Sequence, residues 1–211
     1  VYPDAASQKL RVQLCQLYKL EGDQFVFGNG SDEVIQLITR AYLSHNVSTV
    51  MATPTFSIYK ANADIEGARS IEVPLKDGVH DLERMLEALE EHTRVVWLCN
   101  PNNPTGTYVN QEAFESFMAR VPTSVLVVVD EAYYEYVTAT DFPDTVNLLQ
   151  RYPNLIILRT FSKIYGLASL RIGYGMAHRS VIEMLEKVRL PFNTSRFAQA
   201  AALAAVKDQD F

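Results

Sequence analysis

The chain has 211 residues, 48% of them hydrophobic and 21% charged, a balance that supports a buried core and excludes disorder as the main state. Nineteen basic against twenty-five acidic side chains leave a net charge of −6, which excludes a broad basic face for nucleic acid or anionic lipid. No apolar stretch approaches the roughly 18 residues that span a bilayer, and the first residues lack the basic-then-apolar pattern of an export signal. In chain order, residues 7–20 carry Leu10, Leu14 and Leu17 at helical spacing, and Phe25-Val26-Phe27 reads as a short strand. Gly28-Asn29-Gly30 breaks that strand. Ser31 is expected to cap the next helix, with Asp32 and Glu33 in its first turn and Val34, Leu37, Ile38 and Ala41 along one face. A strand over residues 49–52, a Thr53-Pro54-Thr55 turn, a helix over 56–65 and a short strand near 71–73 follow. Asp81 opens a helix whose Leu82, Met85, Leu86 and Leu89 share one face.

Three later runs, residues 95–98, 125–129 and 155–158, are apolar without alternation. That pattern belongs to strands buried on both faces, as in a mostly parallel sheet flanked by helices. Helices are expected over 111–120 and 145–150 between them, and over 181–188 and 195–206 after a strand near 172–176. The repeated order of strand and helix predicts an α/β fold.

In open α/β sheets ligands bind beyond the carboxyl ends of the strands, so the residues that leave each run are the candidates for chemistry. They are Asn100-Pro101-Asn102-Asn103-Pro104-Thr105-Gly106, Asp130-Glu131-Ala132-Tyr133 and Arg159-Thr160-Phe161-Ser162-Lys163. Gly28-Asn29-Gly30-Ser31 adds a helix N-terminus suited to a phosphate. An amine, a carboxylate and a phosphate cradle are what pyridoxal phosphate chemistry requires: a Schiff base, a protonated ring nitrogen and an anchored phosphate. Other chemistries fit less well. Gly28-Asn29-Gly30 does not continue to a third glycine, no phosphate-loop lysine follows it, and no serine sits in a Gly-x-Ser-x-Gly elbow. His45, His80, His92 and His178 are scattered and read as surface or loop residues, so no metal site is expected. Cys15 and Cys99 lie far apart and read as reduced thiols, which places the protein in the cytoplasm.

Six blocks in order carry a family resemblance: Tyr2-Pro3-Asp4; Gly28-Asn29-Gly30-Ser31-Asp32-Glu33; Pro54-Thr55-Phe56; Pro101 to Gly106; Asp130-Glu131-Ala132-Tyr133; and Thr160-Phe161-Ser162-Lys163 with Leu170-Arg171-Ile172-Gly173. The sequence resembles the fold-type-I pyridoxal-phosphate-dependent aminotransferases of class II, most of all their histidinol-phosphate aminotransferase branch. The resemblance implies a three-layer large domain over residues 1–211, with the family's amino-terminal arm and smaller carboxyl-terminal domain outside the chain. The family's substrate-gripping arginines belong to that outer part. By the same resemblance Lys163 forms the internal aldimine and carries the proton, and Asp130 pairs with the pyridinium nitrogen. Asn103 and Tyr133 bond the phenolic oxygen and Phe56 stacks on the ring. Ser31, Asp32, Thr160, Ser162 and Arg171 hold the phosphate, joined by Tyr2 of a neighbouring subunit in a homodimer. The implied reaction takes histidinol phosphate and 2-oxoglutarate to imidazole-acetol phosphate and glutamate, in histidine biosynthesis. The alternatives are an aromatic amino-acid aminotransferase, a threonine-phosphate decarboxylase, or a fragment that binds the cofactor without turnover. Two positions depart from the family pattern, Ile164 after the lysine and Ser169 where glycine is common.

Overall fold

The apolar runs that lack alternation form the centre of one sheet. In the computed structural model, which describes residues 1–209, the strands are β1 (Phe25–Gly28), β2 (Ser48–Thr53), β3 (Arg69–Pro74), β4 (Thr93–Cys99), β5 (Leu126–Asp130), β6 (Leu155–Thr160) and β7 (Gly173–Ala177). Their order across the sheet is β1-β7-β6-β5-β4-β2-β3. Strands β2 to β6 pair in parallel, and β7 runs antiparallel to both of its neighbours, β6 and β1. The sheet is therefore mostly parallel, as its composition predicts.

Helices α1 (Gln8–Tyr18), α2 (Ser31–Tyr42), α3 (Ile58–Ile65), α4 (Leu82–Glu87), α5 (Gln111–Met118), α6 (Thr145–Leu148), α7 (Arg179–Val188) and α8 (Arg196–Lys207) cover its two faces. Successive strand residues point to opposite faces, so each buried strand feeds two cores. Val96, Leu98, Val127, Val129 and Ile157 pack with Leu10 and Leu14 of α1, Phe114 and Phe117 of α5 and Ala198 and Ala202 of α8. Val95, Trp97, Leu126, Val128 and Ile156 pack with Val34 and Ile38 of α2, Tyr59 of α3 and Leu185 of α7. Each fully buried Leu, Val or Ile contributes about 1.5–3 kcal/mol. The result is three layers, helices on a sheet on helices.

Side chains set several helix starts. Asp81, Asn110 and Ser195 accept from the backbone N–H three residues on, at 3.2, 3.0 and 3.1 Å. Helix α2 starts differently from the expectation: Gly30 occupies the cap with φ 76°, and Ser31 is the first helical residue. Leu17, expected on the buried stripe of α1, is 38% exposed, because the stripe runs from Leu10 and Leu14 to Tyr18, which packs on the core in its place. Among the described residues no helix is long and apolar enough to cross a membrane.

His80 departs from its expected surface position. It lies in a loop but is 5% exposed, and neither ring nitrogen has a hydrogen-bond partner among the described residues. Burial lowers its pKa to about 4. The unfolded chain takes up the proton near pH 6.5 while the native ring stays neutral, so stability falls as pH drops from 6.5 to 4, by roughly 3 kcal/mol in all. Replacing His80 with Leu is expected to remove most of that loss, read as a flatter pH dependence of urea unfolding across this window.

Candidate active site

Parallel pairing sends the carboxyl ends of β2 to β6 to one edge of the sheet. Antiparallel β7 begins at that same edge, where Gly173 stands opposite both Thr160 of β6 and Gly28 of β1. The loops at this edge enclose a cleft of about 120 Å³. Its wall contains Ser31, Asp32, Phe56, Asn103, Asp130, Tyr133, Thr160, Ser162, Lys163 and Arg171, together with Cys99 and Ala132. Every predicted site residue except Tyr2 is thus brought together. Tyr2 is 78% exposed and stacks on Phe192 with ring centroids 4.8 Å apart, outside this cleft.

Asp130 ends β5 and is 2% exposed. Its Oδ2 accepts from the Tyr59 hydroxyl at 2.7 Å and its Oδ1 from the Ala132 N–H at 3.2 Å. Burial pushes the carboxyl up to about 6, against the lowering effect of those two donors. No cation pairs with it among the described residues. Tyr59 is wholly buried and stacks on Trp97 at 4.9 Å; the indole N–H in turn donates to Thr49 Oγ1 at 2.8 Å. Phe56, three residues earlier and just before the start of α3, meets Tyr59 edge-on at 5.6 Å and so reaches the cleft from the same support.

Glu131, one residue on, faces the other layer. Its Oε2 accepts from Arg159 Nε and Nη2 at 3.0 and 2.8 Å, and its Oε1 from the Thr145 hydroxyl at 2.6 Å. The Arg159 guanidinium also donates to Tyr18 Oη at 3.1 Å and lies 3.5 Å above the Tyr134 ring. Burial opposes the arginine's charge, but Glu131 outweighs it and holds the pKa well above its ordinary value. This pair ties the end of β5 to the end of β6.

Lys163 follows β6 on a loop anchored by Phe161, which is wholly buried. The Ser162 N–H donates to Thr160 Oγ1 at 3.1 Å and the Gly166 N–H to the Lys163 carbonyl at 2.9 Å, which turns the loop back on itself. The Lys163 amine lies 5.1 Å from the centre of the Tyr133 ring. Asn102, buried beside Asn103, donates to the Pro54 carbonyl at 3.2 Å and accepts from the Thr55 hydroxyl at 2.7 Å. It thereby joins the loop that carries Phe56 to the loop that carries Asn103. Burial pushes the Cys99 thiol up to about 12, so this sulfur is a protonated wall and not a nucleophile.

At the α2 end, Arg171 donates to Asp32 Oδ2 at 3.0 Å, to the Ala168 carbonyl at 3.0 Å and to Ser162 Oγ at 3.4 Å. Two glycines permit this approach. A Cβ on Gly30 would stand 2.5 Å from Arg171 Nη2, and one on Gly173 would run into the backbone of Ser31 and Gly30. The α2 N-terminus, two hydroxyls and a guanidinium consequently meet at one end of the cleft, an arrangement suited to a phosphate. A second cavity of about 500 Å³ opens beside the cleft and shares Asn103 and Tyr133, with Tyr108, Tyr136 and Val137 in its wall.

Tyr59 was not singled out from sequence, and Asn102, Glu131 and Arg159 stood within the candidate runs without a role of their own. The signal for Tyr59 was its place three residues after Phe56 in the helix expected over 56–65; the helix itself begins at Ile58, with Phe56 in the turn before it. The signal for Glu131 was strand alternation, which buries it opposite Asp130.

The model of the family described as aminotransferase class I and II matches residues 1–211. The chain is 60% identical over 211 residues to a histidinol-phosphate aminotransferase of Halalkalibacterium halodurans and 61% identical to one of Anoxybacillus flavithermus. A crystal structure of histidinol-phosphate aminotransferase from Sinorhizobium meliloti in complex with pyridoxal-5'-phosphate superimposes with a TM-score of 0.94 at 32% identity. Each of these comparisons covers 100% of this chain and 57% of the relative.

Two outcomes are expected of this geometry. Replacing Arg159 with Met strands the Glu131 charge and is expected to cost about 3–5 kcal/mol, with much of it recovered when Glu131 is also made Leu; denaturant titration of the three variants measures this. For Asp130, the native carboxyl keeps its proton up to about pH 6 while the unfolded one releases it near 3.8, so stability falls as pH rises through this window. In the cofactor-free chain Asp130→Asn is therefore expected to gain up to roughly 3 kcal/mol at pH 7 and nothing below pH 4, read by unfolding at the two pH values.

Proposed function

The chain belongs to the class I and II aminotransferases, and from that premise we propose that it is the large, cofactor-binding domain of an enzyme that transfers the amino group of histidinol phosphate to 2-oxoglutarate, giving imidazole-acetol phosphate and glutamate. The chain spans 57% of the length of the curated relatives it matches, and those relatives are histidinol-phosphate aminotransferases. The observation that carries the reading is the pairing, in one cleft, of the Lys163 amine with a buried Asp130 carboxylate that has no cation of its own among the described residues.

The residues fit pyridoxal 5'-phosphate. A carboxylate whose ionisation burial disfavours is answered by a protonated ring nitrogen, and the α2 end answers a phosphate dianion. When bound, the cofactor supplies an aldehyde that condenses with amines and a ring that takes up the electron pair released at the substrate carbon. Asp130 would hold the proton at the ring nitrogen through a charge-assisted hydrogen bond, itself fixed by Tyr59 and the Ala132 N–H. Lys163 would supply the condensing amine and afterwards move a proton at its Nζ. Asn103 and Tyr133 would orient the ring through its phenolic oxygen, and Phe56 would cover one face. Ser31 and Asp32 through their N–H groups, Thr160 and Ser162 through their hydroxyls, and Arg171 through its guanidinium would hold the phosphate. The adjoining cavity beside Asn103 and Tyr133 offers room for the substrate. In this reading the enzyme is a cytoplasmic homodimer, with Tyr2 reaching the partner subunit's phosphate; its exposure and the free thiols of Cys15 and Cys99 support this.

Incubation with pyridoxal 5'-phosphate, borohydride reduction and peptide mapping test the site. One stoichiometric adduct on Lys163 is expected, lost in Lys163→Ala; adducts scattered over surface lysines would refute the assignment. Multiple turnover with histidinol phosphate and 2-oxoglutarate separates the enzyme from a cofactor-binding fragment.

A further inference from the structure

Asp32 stands where a ligand's anionic group is expected. Its carboxylate lies 3.0 Å from Arg171 Nη2, and both side chains are partly exposed, at 44% and 43%. It also occupies the first turn of α2, where the helix end presents about half a positive charge. Among the described residues Arg171 otherwise donates only to uncharged acceptors, the Ala168 carbonyl and Ser162 Oγ. The arginine is thus answered by a carboxylate that the chain itself carries, and that carboxylate shares the first turn of α2 with Glu33, whose Oε2 accepts from the Asn29 N–H and the Asn193 amide. A phosphate monoester brings more negative charge and three acceptor oxygens to the same donors.

Resting on the phosphate reading given under the proposed function, we infer that the Asp32 side chain is a built-in competitor of the phosphate group. Carboxylate and phosphate share Arg171 and the α2 N-terminus, so entry of the phosphate displaces the carboxylate. The backbone N–H of Asp32 serves the ligand while its side chain opposes it. Removing the side-chain charge therefore has opposite effects on two quantities. The chain without phosphate loses an ion pair and a favourable helix-end charge, and it becomes less stable. Phosphate, relieved of its rival, binds more tightly. A carboxylate that merely orients Arg171 would move both quantities the same way, because its removal would loosen the arginine that the ligand needs.

The test is isothermal titration of the 211-residue chain with inorganic phosphate at low ionic strength, in wild type, Asp32→Asn and Arg171→Ala. Thermal unfolding in phosphate-free buffer is measured alongside. Asp32→Asn is expected to bind phosphate about three- to tenfold more tightly while unfolding at a lower temperature, with both differences shrinking at high salt. Asp32→Ser, which also removes the charge, is expected to behave alike and serves if the asparagine variant folds poorly. Equal or weaker phosphate binding by the charge-removed variants overturns the inference while leaving the phosphate site standing. Undiminished binding by Arg171→Ala, or no binding by any form, overturns the inference together with the phosphate reading.

Discussion

Parallel strands cannot be joined by a tight turn, and everything else in this fold follows from that constraint. Each step from β2 to β6 needs a crossover long enough to climb over the sheet. The crossovers supply the helices that cover both faces, so the strands between them must be apolar on both sides. In the central strands β4, β5 and β6 polar side chains are excluded from the middle and collect where the strands end. Because the strands are parallel, those ends lie together. Asn103, Asp130 and Lys163 are neighbours in space for that reason, though the chain spends a full crossover between each.

Two adjacent carboxylates show how the same edge makes different chemistry on its two faces. Asp130 and Glu131 are both buried. Glu131 points into the layer of α1 and α8 and has an arginine of its own, two of whose N–H groups converge on its Oε2. Asp130 points into the layer of α3 and, among the described residues, has only the neutral donors Tyr59 and the Ala132 N–H. The first carboxylate is charged and structural, a brace across the ends of β5 and β6. The second is left in want of a positive charge at the wall of a cleft. Strand alternation alone separates the two roles.

The strands and most helices were legible because burial on two faces leaves an unmistakable apolar run, and because Asp81, Asn110 and Ser195 write helix starts in their own side chains. The site was legible for the topological reason above, through the residues that leave each run. What escaped was what depends on contact between remote segments. That Tyr59 meets Asp130 follows from the stacking of α3 on β4, not from any local pattern. The same holds for Arg159 with Glu131, and for Gly30 as the cap of α2, whose backbone is set by Arg171 and Gly173 pressing against it. His80 was misplaced because a loop assignment by itself carries no information about depth.

The end of the cleft beside α2 is assembled from segments far apart in the chain. Asp32 and Arg171 are 139 residues apart in sequence yet share a hydrogen bond, and β7 brings them together only by turning back between β1 and β6. Closing so long a loop has an entropic cost that only the completed sheet repays. Local segments of the chain can form helices, hairpins or a partial core without ever assembling this end of the cleft. An anion bound here would stabilise the pairing of β1, β7 and β6 by mass action, since it would bind only the chain in which those strands are paired. A group held at this end would report on the pairing of β1, β7 and β6, because its surroundings come together only when those three strands are in place.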